Sequence, residues 1–520
     1  MIESIRVQSY ENWELCLADD CSTDPAVHQM LRDYAARDPR IKVVFRKENG
    51  HICAASNSAI ELATGKFIVL VDHDDLIDSD ALLMVAKEIT DHPDAMIIYS
   101  DQDIISVTGK RFGPYFKPEW NRLLILENNY ISHLGVYQTG LVRKAGGFWL
   151  GYEGSQDHDL LLRCSEHVAD PQIRHIPKVL YSWRASPGSV SEDGAAKPYA
   201  WDTGQRAVTD HLQRFTGQSV KVEKGEGRFT YRPNWPMQGH PLVSIIIPTR
   251  DKLDILRVTV ESVLQKTTYT NYEIIIIDNG SVEQETLEWL AKVQSEDQRI
   301  RVIRDDRPFN YSALNNAAVA VSHGEYILLL NNDIEVISPD WLTEMLSLAQ
   351  RDRAGCIGAK LYYPDGTLQH AGVIAGLGGL AGHIYCGFSG NHPGQFGRLK
   401  FRQNLTVVTA ACMLVSREIF DQVGGLNEID LTIGYNDVDF CLKVAEAGYQ
   451  NAWTPFAELI HHESATRGYE DTPEKQARFQ KEAEYMMARW KTQTYNDPAY
   501  NPNLTRDRHD FSFGPPIWTL

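Results

Sequence analysis

The apolar positions of the chain gather into unbroken runs. "PLVSIIIPT" (241–249), "YEIIIID" (272–278) and "YILLL" (326–330) are aliphatic or β-branched throughout, and each is bounded by Pro, Asp or Asn. Runs without polar alternation describe strands buried on both faces. Between them, 252–266 and "EQETLEWLAKVQ" carry apolar residues at helical spacing, and "RIRVIRD" returns to a strand. This alternation predicts an α/β fold with a parallel sheet covered by helices on both faces. In such sheets ligands sit beyond the carboxyl ends of the strands.

The pattern occurs twice. "ESIRVQSYENWEL" at Glu3 matches "ESVLQKTTYTNYEI" at Glu261, and "TGKFIVLVDHDD" matches "HGEYILLLNNDI". Asp19 faces Asp278 and Asp74 faces Asp333, both at an offset of 259; Asp157 faces Asp437 at 280. The second copy therefore gains 21 residues between these points, and the Gly-rich segment Gly372–Gly397 is the expected place for them, its stretch "AGVIAGLGGLAG" read as a mobile loop. Nothing in the first copy corresponds to "PLVSIIIPTRD", so its opening strand is expected to be absent. The expected organisation is a first domain over 1–200, a connector with a helix and short strands over 201–240, a second domain over 241–470, and a helix with an extended tail over 471–520.

Length and charge narrow the function. At 520 residues more than one core is expected. A formal net charge of −18 opposes nucleic acid as the main partner, because phosphate binding needs clustered cations. The eight cysteines are scattered without a Cys-x-x-Cys pair, which supports neither a zinc framework nor a disulfide scaffold. No apolar run reaches the about 18–20 residues of a membrane span, and "MIESIRVQSYENWEL" lacks the apolar region of a signal peptide. A cytoplasmic protein is expected, with docking at the inner face of the membrane left open.

The chemistry gathers at strand ends. Asp72-His73-Asp74 and Asn331-Asn332-Asp333 each end an apolar strand. Oxygen ligands in that position suit Mg²⁺ or Mn²⁺ carried in with a diphosphate, although a lone doublet equally caps a turn. Asp19 and Asp278 end the preceding strands, where an acid contacts a ribose or base edge or makes an Asx turn. Asp157 and Asp437 open helices, where the dipole favours the anion as a cap or as a general base. Their companions Asp159 and Asp439 lie two residues on, so only one of each pair can face a cleft. His462 follows a further strand as a candidate third metal ligand, and Ser182 is read as its counterpart in the first copy. Gly376-x-Gly378-x-x-Ala381 fits a dinucleotide fingerprint, but no acid follows until Glu418, so that reading is set aside.

"VSIIIPTRD", "IIIIDNGS", "FNYSALNNAA", "ILLLNNDIEV", "YPDGTLQHAGV", "TAACMLVSREIF", "YNDVDFCLKV" and "IHHESATRG" together resemble the bacterial family 2 glycosyltransferases. The first half, with "GHICAASNSAIELATGKFIVLVDHDD" and "GSQDHDLLLR", resembles a second such domain, in the tandem order of enzymes building O-antigens and other surface polysaccharides, often rhamnose-containing. The resemblance implies two GT-A (Rossmann-like) domains and inverting transfer from a nucleoside-diphosphate sugar to a glycan or lipid-linked acceptor. It implies that Asp278, Pro248, Thr249 and Asn331 meet the nucleotide, that Asp333 with His462 holds the divalent metal, and that Asp437 is the base. Asp19 and Asp72, Asp74, and Asp157 match those roles in the first copy. Asn331 departs from the first acid of the Asp-x-Asp pattern, and Ser182 cannot replace an imidazole. The rival readings are a metal-dependent nucleotidyltransferase or sugar-nucleotide hydrolase, and a first domain that serves as a scaffold.

Overall fold

The strand Val243–Thr249 is buried at every position and pairs in parallel on both sides, with Tyr272–Asp278 and with Tyr326–Leu330. It lies at the centre of the second of two units, Met1–Asn234 and Trp235–Leu520, into which the computed structural model of the chain divides. The structure describes residues 1–185, 198–462 and 472–514. Residues 463–468 of the motif "IHHESATRG" and the end of the tail after Gly514 lie outside the described residues.

In the second unit a ten-stranded sheet has eight strands in the order Ile300–Arg304, Tyr272–Asp278, Val243–Thr249, Tyr326–Leu330, Cys412–Ser416, Ala354–Tyr362, Gln450–His461, Ile334–Val336, with Leu368–His370 added on Ala354–Tyr362 and Gln403–Asn404 on Gln450–His461. The first four strands are parallel, and the helices Leu253–Lys266, Gln284–Glu296 and Tyr311–Val321 connect them. The expected all-parallel sheet ends there. Cys412–Ser416 pairs antiparallel with Tyr326–Leu330, and Ile334–Val336 pairs antiparallel with Gln450–His461. The period of an apolar run reports burial and not direction, so the sequence pattern could not show this reversal.

The Gly-rich segment is not a loose loop. Val373–Ala375 and Ala381–His383 form a hairpin, and Val373 bridges Val407. Gly372 has φ 107°, and a Cβ there would lie 2.1 Å from Leu405 Cδ1, so this turn needs glycine. The helix Pro473–Trp490 and the tail pack in the same unit; Asp497 accepts hydrogen bonds from the Ala375 N–H, the Thr406 hydroxyl and the Ala499 N–H.

The first unit repeats this plan with its sheet divided. Leu15–Asp19 pairs only with Ile41–Phe45, and Phe67–Leu70 pairs only with Gly135–Gln138 among the described residues. Among the described residues of this unit, no strand fills the position that Val243–Thr249 holds in the second. One core still spans both pieces, with Ile5, Leu15 and Ile41 packed among Ile77, Val85, Ile98 and Val136. The helix Pro198–Thr216 and the hairpin of Lys221–Lys224 with Tyr231–Asn234 belong to this unit rather than standing between the two.

Candidate functional site

In the second unit the carboxyl ends of the parallel strands gather most of the expected residues. Thr249 stands opposite Asp278 on adjacent strands, with Pro248 buried beside it. Asp278 is 2% exposed. Its carboxylate accepts the Ser281 N–H at 2.9 Å and Arg304 Nη1 at 2.6 Å. The Thr249 hydroxyl accepts from Asn332 Nδ2 at 3.0 Å, which ties this strand end to the turn after Leu330. In that turn the Asn331 N–H donates to the Ala411 carbonyl.

Asp333 is 4% exposed, and its Oδ1 has no hydrogen-bond partner. The imidazole beside it belongs to His461, whose Nε2 is 3.2 Å away. His462, the residue expected there, turns the other way: its Nε2 lies 3.3 Å from Glu335, and only its backbone N–H reaches the Asp333 carbonyl. Side chains alternate along a strand, so adjacent histidines must face opposite sides. At that distance the imidazole and the carboxylate also pair with each other directly. Two ligands bound at about 2.1 Å to one ion lie about 3 Å apart, so Asp333 and His461 fit a divalent cation.

Asp437 sits in the first turn of the helix Asn436–Glu446 and accepts the Ala410 N–H at 3.2 Å and the Val438 N–H at 2.9 Å. Its companion Asp439 turns inward and accepts from Trp490 Nε1. Tyr311 joins the parts: its hydroxyl is 3.3 Å from both Asn331 Oδ1 and the Ala410 carbonyl. Burial, then the charges of Asp437 and Asp333, push its phenol well above the usual range. His461 and Tyr311 were not singled out from the sequence, though both lie in quoted motifs. A strand parity and a contact between segments of the second unit far apart in sequence are what identify them.

The first unit is arranged differently. Asp19 accepts from His28 Nε2 at 3.1 Å and from the Ser22 N–H at 3.2 Å. Burial raises its carboxyl, but these bonds outweigh it and hold the group below the ordinary carboxylate range. Phe45 stands where Arg304 stands in the second unit. Asp74 is exposed, and the group with metal-ligand spacing is Asp72, Asp75 and His133, whose ligand atoms all lie within 4.8 Å of one another. Asp75 accepts from the Tyr181 hydroxyl at 2.6 Å and the Arg184 N–H at 2.8 Å. Asp157 accepts from Asn129 Nδ2 at 2.9 Å, and burial pushes its carboxyl up. Ser182 is not the counterpart of His462. Leu76 pairs with Ser182 as Glu335 pairs with Ile460, so Trp183 and Arg184 occupy the places of His461 and His462.

Comparison with known proteins gives these positions a setting. The family model described as "Glycosyl transferase family 2" matches residues 1–145 and again 244–424, so the two GT-A-type domains follow one another in the chain. The "Uncharacterized protein y4gI" of Sinorhizobium fredii is 61% identical over 520 residues, all of this chain and 57% of that protein. The "O-antigen biosynthesis protein RfbC" of Myxococcus xanthus is 36% identical over 509 residues, 97% of this chain and 39% of that protein. The chain thus spans about half the length of these relatives or less. The solved mannosyltransferase PcManGT of Pyrobaculum calidifontis overlays with a TM-score of 0.38 and 14% identity, covering 59% of this chain and 77% of that one. With its family model matched in both units, the chain belongs to glycosyl transferase family 2.

Proposed function

We propose that the second unit is an inverting, metal-dependent glycosyltransferase that moves a sugar, hexosyl or rhamnosyl, from a nucleoside-diphosphate sugar to a glycan or lipid-linked acceptor in surface-polysaccharide synthesis. The observation that carries this is the contact of the Tyr311 hydroxyl with Asn331, in the turn that leads to Asp333, and with Ala410, whose N–H donates to Asp437, beside the strand end that holds Thr249 and Asp278. Asp278 and Thr249 line the place for the base and ribose. Asp333, with His461 rather than His462, would hold Mg²⁺ or Mn²⁺. Bound there, the ion supplies positive charge against the departing diphosphate. Asp437 takes the proton from the acceptor hydroxyl as it attacks the anomeric carbon opposite the nucleotide, and one in-line displacement inverts that centre. The relation to the O-antigen protein of Myxococcus supports the choice of acceptor class.

The test is Asp437→Asn. Turnover should fall at least about 100-fold while donor binding stays within about threefold of the parent. Transfer at the parental rate would remove Asp437 as the base. Release of free sugar instead of a lengthened acceptor would favour the hydrolase.

A further inference from the structure

The turn that leads into the helix Asn436–Glu446 is held from two sides. On one, the Ser312 hydroxyl donates to the Leu431 carbonyl at 2.6 Å, from the helix that also carries Tyr311. On the other stands Glu482 of the helix Pro473–Trp490, 1% exposed. Its Oε1 accepts the Thr432 hydroxyl at 3.0 Å and the Ile433 N–H at 2.9 Å, and its Oε2 accepts the Gly434 N–H at 3.1 Å. A Cβ on Gly434 would lie 2.8 Å from Glu482 Oε2, so glycine lets the carboxylate reach the backbone. Tyr435 then takes the left-handed conformation at φ 56°, a costly one for a bulky residue, with its ring 5.3 Å from that of Phe479 on the same distant helix. Asn436 closes the turn, its Nδ2 donating to the Ile433 carbonyl at 2.7 Å, and Asp437 follows. In the first copy the Gly154 N–H at the matching place donates to Gln156 Oε1, two residues on, rather than to a distant helix.

We propose that Glu482 is a positioning residue for Asp437: by collecting the donors of Thr432, Ile433 and Gly434 it fixes the strained entry to the helix, and with it the direction in which the Asp437 carboxylate meets the acceptor hydroxyl. This deepens the glycosyltransferase reading, on which it rests for the role of Asp437. The acid is suited to the task because a carboxylate accepts on both oxygens, whereas the amide of glutamine turns one end into a donor.

The experiment measures kcat and donor KM of the full chain, with a glycan extract as acceptor and whichever of UDP-, dTDP- and GDP-hexose the parent consumes fastest as donor. Glu482→Gln should lower kcat at least about tenfold and leave donor KM within about twofold, as expected when a reacting group is displaced. Arg489→Gln breaks the ion pair of the same helix with Glu446, at the far end of Asn436–Glu446, and should leave kcat within about twofold. Added to Asp437→Asn, Glu482→Gln should cost no more than about twofold, because a residue that acts through Asp437 has nothing left to act on. A thermal melt reports folding. Should Glu482→Gln not fold, Thr432→Val, which removes one of the three bonds, takes its place with an expected loss of about threefold. Parental kcat in the folded variant, an equal loss in Arg489→Gln, or the full loss repeated in the Asp437→Asn background overturns the proposal while Asp437→Asn still shows its own defect. If Asp437→Asn turns over like the parent, the base reading falls, and this proposal falls with it.

Discussion

Tyr311 and His175 show how single side chains in this chain are set by what surrounds them. The Tyr311 phenol is pushed well above its ordinary pKa by burial and by the charges of Asp437 and Asp333. Tyr311→Phe should therefore leave the shape of the pH–rate profile unchanged while lowering stability by about 1 kcal/mol through the lost hydrogen bond; a missing alkaline limb in the variant would count against this. In the first unit burial alone would pull the His175 imidazolium down. Asp101 at 2.9 Å, with Glu119, outweighs it, and the pKa is pushed up to about 9 from an ordinary 6.5. A raised pKa contributes stability that is fully present below the unfolded value and lost as pH rises through the folded one. The gap in urea midpoint between the parent and His175→Gln should accordingly be widest near pH 6 and close by about pH 10. At this scale the acids at strand ends were legible because their offsets repeat. The choice between His461 and His462 was not, since it depends on which face of a strand each occupies, and Ser182 was misplaced because only pairing with Leu76 fixes its register.

Elements were legible where an apolar run or a helical period was long. The helices at Leu253–Lys266 and Pro473–Trp490 and the strand Tyr272–Asp278 lie where the pattern put them. The Gly-rich stretch defeated the pattern because its order comes from distant partners: Val407 bridges it, and Asp497 in the tail accepts the Ala375 N–H. Buried donors that lose their acceptor cost about 1–3 kcal/mol each. Asp497→Ala should then destabilise the second unit by about 3 kcal/mol or more, read as a lower urea midpoint, and Asp497→Asn by less. Equal midpoints for parent and Ala variant would show that the tail does not hold the hairpin.

For the molecule as a whole, the two copies have diverged in chemistry more than in plan. Trp183 and Arg184 stand where the second unit has its two histidines, Asp74 is exposed, and Phe45 stands where the second unit has Arg304 beside Asp278. The chain with Asp74→Asn and Asp157→Asn combined is expected to transfer sugar within about twofold of the parental rate, since both changes lie in the first unit; a loss of at least about tenfold would assign that unit a catalytic part. The divided sheet of the first unit also has a consequence of its own. Leu15–Asp19 and Phe67–Leu70 each pair on one side alone among the described residues, which leaves a rail of amide and carbonyl groups and a berth along each, over a core the two share. Unsatisfied rails of this kind invite a foreign ribbon to dock edge-on. Grafting residues 241–258 ahead of Met1, in the order the second copy uses, should fill the berth, slow deuterium uptake at the amides of both rails and raise the first melting transition. Unaltered uptake after the graft would mean that the two half-sheets do not accept the grafted strand.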